Sequence, residues 1–159
     1  MYLHGRKPVA FSGDEADNVK ANLQTGGLLL ADAACNDIKQ WRAFDQSFRD
    51  AMGKMFPDQK LTVIPPGDPL FKLAEQSGLA LGSVKCRREN PEGTGAEKEL
   101  RNYPVLLEGI KVDGRWVVVY SKYDIGCAIE GHKSADCLGH DKESALRIAS
   151  AVVLYSLRR

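Results

Sequence analysis

The chain has 159 residues, 43% hydrophobic and 27% charged, the balance of one soluble globular domain (1–159) rather than of a disordered, fibrous or membrane chain. Twenty-two Lys and Arg against 21 Asp and Glu leave a net charge of +1, so no positive field recruits nucleic acid or anionic lipid, and neither is expected as a partner. The longest apolar runs, Leu28 to Ala31 and Trp116 to Tyr120, are too short to span a bilayer, and His4, Arg6 and Lys7 interrupt any signal-peptide pattern at the start.

Taken in chain order, Met1 to His4 reads as a short strand. Ser12-Gly13-Asp14-Glu15 is a capping-box pattern that opens a helix carrying Ala16, Val19 and Leu23 on one face, and Gly26-Gly27 supplies the left-handed stop. The run Gly27 to Asp32 predicts a strand buried on both faces, as in the middle of a parallel sheet. From Ile38 to Phe56, Trp41, Phe44, Phe48, Met52 and Met55 recur at helical spacing until Pro57. Leu61 to Ile64 is a second buried-strand candidate. Asp68-Pro69 opens a short helical turn, with Pro69 at the first helical position.

A strand is expected over Leu81 to Cys86. The polar stretch Arg87 to Glu99 follows and reads as a mobile surface loop. Leu106 to Val112 and Arg115 to Tyr120 flank Asp113-Gly114, a tight-hairpin dipeptide. After the loop Ser121 to His140, Asp141 caps a last helix whose apolar face carries Leu146, Ile148, Ala149, Val152, Val153 and Leu157, with Arg158 and Arg159 at its end. Helices alternating with buried strands predict a three-layer α/β sandwich with a mostly parallel sheet and one β-hairpin. Ligands of such sheets sit beyond the carboxyl ends of the parallel strands, so Asp32 to Asn36 and Ser121 to Cys127 are expected on one rim.

Several segments together resemble a bacterial family known as domain-of-unknown-function family 4159: Gly26-Gly27-Leu28-Leu29-Leu30-Ala31-Asp32-Ala33-Ala34-Cys35, Phe44-Asp45 with Phe48-Arg49, Phe56-Pro57, Leu107-Glu108-Gly109-Ile110, Asp113-Gly114-Arg115-Trp116, Tyr120 to Cys127, and the closing Ala145-Leu146 to Leu154-Tyr155. The resemblance runs from end to end. It is closest to a planctomycete-type branch, in which the domain follows repeats similar to prenyltransferase and squalene-cyclase repeats. It implies a flavodoxin-like, class I glutamine-amidotransferase-like fold and no established activity. Family members usually carry a further strand and helix before the residues matching Met1, so the first β-α unit is expected to be missing here. The chain then reads as truncated or as the C-terminal part of a longer protein, and a tie to the cell envelope is expected only through that parent. Loss of a strand exposes an edge and favours self-association or an unknown protein partner.

Three constellations carry chemistry. Cys127, His132, Cys137 and His140 fall within fourteen residues and form a zinc-type ligand set. A Cys127–Cys137 disulfide, or buried thiols with surface histidines, are the alternatives. Cys35 follows a buried strand, where amidotransferase-like enzymes place a nucleophile, but Asn36-Asp37-Ile38 lacks the small residues of a nucleophile elbow and no His-x-Glu pair follows. Asp32, Lys122 and Asp124 at strand ends could bind a metal, a sugar hydroxyl or an amine; they are equally ordinary cap and turn residues. A fold signature without a complete catalytic set points to a non-catalytic binding or interaction module. A zinc protein through Cys127 to His140, and a cysteine hydrolase or amidotransferase-like enzyme centred on Cys35, are the other readings.

Overall fold

The computed structural model describes every residue except Asn36, Lys133 and Arg159, so the expected placements of Asn36 and Arg159 lie outside the described residues. The strands are β1 (Tyr2–Gly5), β2 (Leu29–Ala33), β3 (Thr62–Val63), β4 (Val84–Arg87), β5 (Arg101–Tyr103), β6 (Glu108–Val112), β7 (Arg115–Ser121) and β8 (Gly139–His140). The helices are α1 (Gly13–Gln24), α2 (Ile38–Met55), α3 (Pro69–Gln76), α4 (Gly126–Glu130) and α5 (Lys142–Ser156). A five-stranded sheet runs β1-β2-β7-β6-β3, and a three-stranded sheet runs β5-β4-β8. None of the described helices is long and apolar enough to cross a membrane.

Local chemistry accounts for most element boundaries. The Ser12 hydroxyl accepts from the Glu15 N–H while the Glu15 carboxylate accepts from the Ser12 N–H, so the capping box is complete. Asp37 caps α2 by accepting from the Lys39 and Gln40 N–H groups, and Asp68 and Asp141 cap α3 and α5. Asp113 and Gly114 both have positive φ, 50° and 78°, as a two-residue hairpin joining β6 to β7 requires.

Side chains on β2 alternate between two separate cores. Leu29, Ala31 and Ala33 face Leu23 of α1 and Trp41, Phe44, Phe48 and Met52 of α2. Leu28 and Leu30 face Leu70 and Phe71 of α3 and Ile148 and Val152 of α5. Helices therefore cover the main sheet on both faces. Phe44 and Phe48 are each at most 1% exposed, and burying such a ring stabilises by about 2–3 kcal/mol. Arg49 of α2 fixes that helix to the sheet, bonding both oxygens of Glu108 and one of Asp45, while the Tyr120 hydroxyl donates to the other Asp45 oxygen.

The expectation of a mostly parallel sheet is overturned. β1 with β2 and β2 with β7 are parallel, but β7 with β6 and β6 with β3 are antiparallel, and every ladder of the small sheet is antiparallel. The cause is the hairpin: it sets β6 against β7 at the centre of the sheet, and β3 then pairs antiparallel to β6, so β6 alone runs against the other four strands. Leu61 to Ile64 yields only Thr62–Val63 at the sheet edge with both residues exposed, and burial begins at Ile64. The apolar stripe of α5 is narrower than its sequence, for Leu146, Val153 and Leu157 remain exposed. Arg87 to Glu99 is the connection from β4 to β5, closed by a bridge between Glu89 and Ala96 and by Asn90, whose side chain accepts from the Thr94 N–H.

Candidate functional site

Three parallel strands end level with one another. His4 of β1 stands opposite Asp32 of β2, and Asp32 stands opposite Ser121 of β7. Beyond β7 the chain turns through Tyr123, with Ser121 donating to the Tyr123 carbonyl, and enters the short helix α4 at Gly126. The ends of β2 and β7 thus meet on one rim and gather His4, Asp32, Cys35, Asp124 and Cys127.

Two buried carboxylates organise this rim. Asp32, fully buried, accepts at Oδ2 from the N–H groups of Ile125 (2.7 Å) and Gly126 (3.2 Å) and from His4 Nδ1 (3.0 Å). Asp124, 1% exposed, accepts at Oδ1 from the N–H groups of Cys35 (3.1 Å) and Cys127 (3.2 Å) and at Oδ2 from that of Ala128 (3.0 Å). Each acid therefore ties one strand end to a distant segment. Asp32 Oδ1 is buried with no hydrogen-bond partner among the described residues.

Because Asp32 Oδ2 accepts, Nδ1 of His4 carries a ring hydrogen, and in the neutral imidazole Nε2 then bears the lone pair. That lone pair lies 3.4 Å from Cys127 Sγ and 4.0 Å from Asp124 Oδ1. The ligating atoms of His4, Asp124 and Cys127 all lie within 4.8 Å of one another. An Arg6 Nη sits 3.6 Å from the Cys127 sulfur, and the Tyr2 ring stacks on the imidazole at 6.1 Å. Close approach depends on Gly126: a Cβ there would lie 2.8 Å from His4 Nδ1 and 2.5 Å from the Tyr2 hydroxyl. Gly139 similarly makes room for Asp124, whose Cβ a side chain there would meet at 2.7 Å.

The electrostatics follow from this crowding. The hydrogen bond to Asp32 raises the His4 pKa, against burial. Burial raises the Asp124 carboxyl above the usual range, and the neighbouring Asp32 charge pushes the same way. Burial also raises the Cys127 thiol. Two carboxylates and a thiol are packed together here, with the His4 imidazole and the Arg6 guanidinium beside them.

The remaining expected residues divide. Cys35 and Cys137 are joined as a disulfide, 102 residues apart in sequence with Cα atoms 4.8 Å apart, whereas Cys86 and Cys127 are free thiols. Ala34, Cys35 and Cys127 form one small buried cluster with Cys137 packed against it. Of the expected zinc quartet, the structure thus brings Cys127 and Cys137 together. His132 is exposed, and His140 is buried in β8 with its ring edge-on to Tyr123; both line a cavity of about 420 Å³ with Cys137 and Asp124. The Lys122 ammonium lies over the Tyr123 ring at 5.4 Å.

A family model described as a domain of unknown function (DUF4159) matches residues 1–157. The chain belongs to that family. A search of curated proteins finds no match. The family description assigns no chemistry, so the rim must be read from its own geometry.

Sequence reasoning missed His4 and Arg6. The available signal was slight: His4 lies near the end of a predicted strand, and only its parallel register with β2 brings it level with Asp32.

Proposed function

We propose that this domain is a metal-binding module whose ligands are His4, Asp124 and Cys127, with Asp32 orienting the imidazole. The observation that carries the reading is His4 itself. Its Nδ1 is bonded to a buried carboxylate while its Nε2 lone pair faces a thiol at 3.4 Å, an arrangement of the carboxylate–histidine–metal kind. Imidazole, thiolate and carboxylate together suit a borderline dication such as zinc, and three protein ligands leave a coordination position open for water or a small ligand. A bound cation would also favour the ionised forms of Asp124 and Cys127, which burial alone disfavours. The module is a binding site first, in keeping with a fold signature that lacks a full catalytic set.

The same atoms favour a second reading. Cys127 Sγ, His4 and Asp32 line up as thiol, imidazole and carboxylate, the order of a cysteine nucleophile with its base and orienting acid. An amidotransferase-like sandwich would suit such a nucleophile, here moved from Cys35 to Cys127. Acyl transfer, however, needs donors for the developing oxyanion. The N–H groups of Ile125, Gly126, Cys127 and Ala128 already serve Asp32 and Asp124. The backbone donors at the start of α4 are thus committed to carboxylates, which suits a cation held by those carboxylates better than an oxyanion.

Titration of the chain with Co(II) tests the choice. One equivalent should bind with d–d bands of low-symmetry coordination and a sulfur-to-metal band, and Cys127→Ser should remove that band. A chain that binds no Co(II) yet forms a Cys127 adduct with an electrophilic acyl probe would favour the nucleophile instead.

A further inference from the structure

Three of the four cysteines converge on the rim, and only one of them is used by the reading above. Cys35 and Cys137 pack around Cys127 in a single cluster, and the Cys35 N–H bonds Asp124 Oδ1 at 3.1 Å, the same oxygen that accepts from the Cys127 N–H. Cys137 is partly exposed and lines the open cavity beside Asp124, so a small reductant has access to the pair. We infer that Cys35 and Cys137 are two further metal ligands, withheld while they are joined to each other and supplied when a dithiol reduces them. The inference rests on the metal reading and deepens it by naming its regulation.

The redox step balances simply. A dithiol transfers two electrons and two protons, the Cys35–Cys137 bond breaks, two thiols form, and the reductant leaves as its own disulfide. A dication entering afterwards displaces the thiol protons to solvent. Oxidised, the site is His4, Asp124 and Cys127 with an open position. Reduced, it becomes three sulfurs and the His4 imidazole, the composition of a closed structural centre, with Asp124 kept by its three N–H donors as a support for the ligands. Reduction therefore exchanges a site able to take a further ligand for one that holds its ion more tightly and takes none.

The test uses the full chain and Co(II) alone. Oxidised protein is verified by two titratable thiols in denaturant, Cys86 and Cys127, and phosphine-reduced protein by four; a phosphine is chosen because a dithiol competes for the ion. Reduction should tighten Co(II) binding on the order of a hundredfold or more and raise the sulfur-to-metal absorbance about threefold, as one thiolate ligand becomes three. The Cys35→Ser/Cys137→Ser double variant should keep the weak, one-thiolate signature with and without phosphine. Wild-type protein that shows four thiols but unchanged affinity and a one-thiolate band overturns the inference and leaves the three-ligand reading standing. Absence of Co(II) binding in both states removes the three-ligand reading as well. A reduced chain that unfolds and is not refolded by Co(II) also overturns the inference.

Discussion

Cys127 with His4, and Cys86 with His140, are the same two residue types brought together twice from distant parts of the chain, with opposite results. Cys86 and His140 face each other across β4 and β8, 0% and 7% exposed. Burial pushes the Cys86 thiol up to about 12 and pulls His140 down to about 4, with the Arg88 charge adding to the effect on His140. Neither His140 nitrogen has a hydrogen-bond partner within the described residues. Both groups are held neutral and inert. At the rim, Asp32 holds His4 instead, raises its pKa and aims its free nitrogen at a thiol. A carboxylate in contact with one imidazole, and none in contact with the other among the described residues, sets the two pairs apart.

The contrast can be broken most forcefully by removing ligands. His4→Gln and Cys127→Ser should each weaken Co(II) binding on the order of a thousandfold, while Cys86→Ser and His140→Gln leave it within about twofold, as isothermal titration would show. Equal losses at the two pairs would erase the distinction. The next effect is one of pH. His140 has a folded-state pKa of about 4, below that of a free histidine, so the unfolded chain binds the extra proton. Its contribution is complete above about pH 6.5 and falls away by about 3 kcal/mol as pH drops to about 4. Urea unfolding of wild type and His140→Gln across that window should show the steeper decline in wild type.

Two smaller effects sharpen the picture at the rim. Asp32→Asn keeps the shape but replaces the acceptor that fixes the imidazole, and should weaken Co(II) binding tenfold to a hundredfold. Lys122→Ala should leave that affinity unchanged within about twofold, because its ammonium faces Tyr123; loss of the cation–π contact should lower unfolding stability by about 0.5–1 kcal/mol.

Much of the fold was legible because its signals are local. The capping box at Ser12, the apolar recurrence from Trp41 to Met55, the Asp113-Gly114 turn and the cap at Asp141 each dictate structure within a few residues. Strand direction is not local. Nothing in the composition of β3 or β6 says that they pair antiparallel, nor that β4, β5 and β8 form a second sheet. The site divides in the same way. Asp32, Cys35, Asp124 and Cys127 were legible as the ends of buried runs, but His4 required the register of β1 on β2. The pairing of Cys35 with Cys137 joins residues 102 positions apart, where sequence spacing favoured neighbours within a single loop.

β1 lies at the end of its sheet and is bonded on one side only, to β2. Its His4 is the sole imidazole among the clustered donors, whereas Asp32, Asp124 and Cys127 belong to the interior of the fold. Peeling back those few residues would dismantle the site without melting the domain. An ion held there would act as a rivet on the outermost strand, and amide exchange at Leu3 and Gly5 would slow on loading while the centre of β7 stayed indifferent.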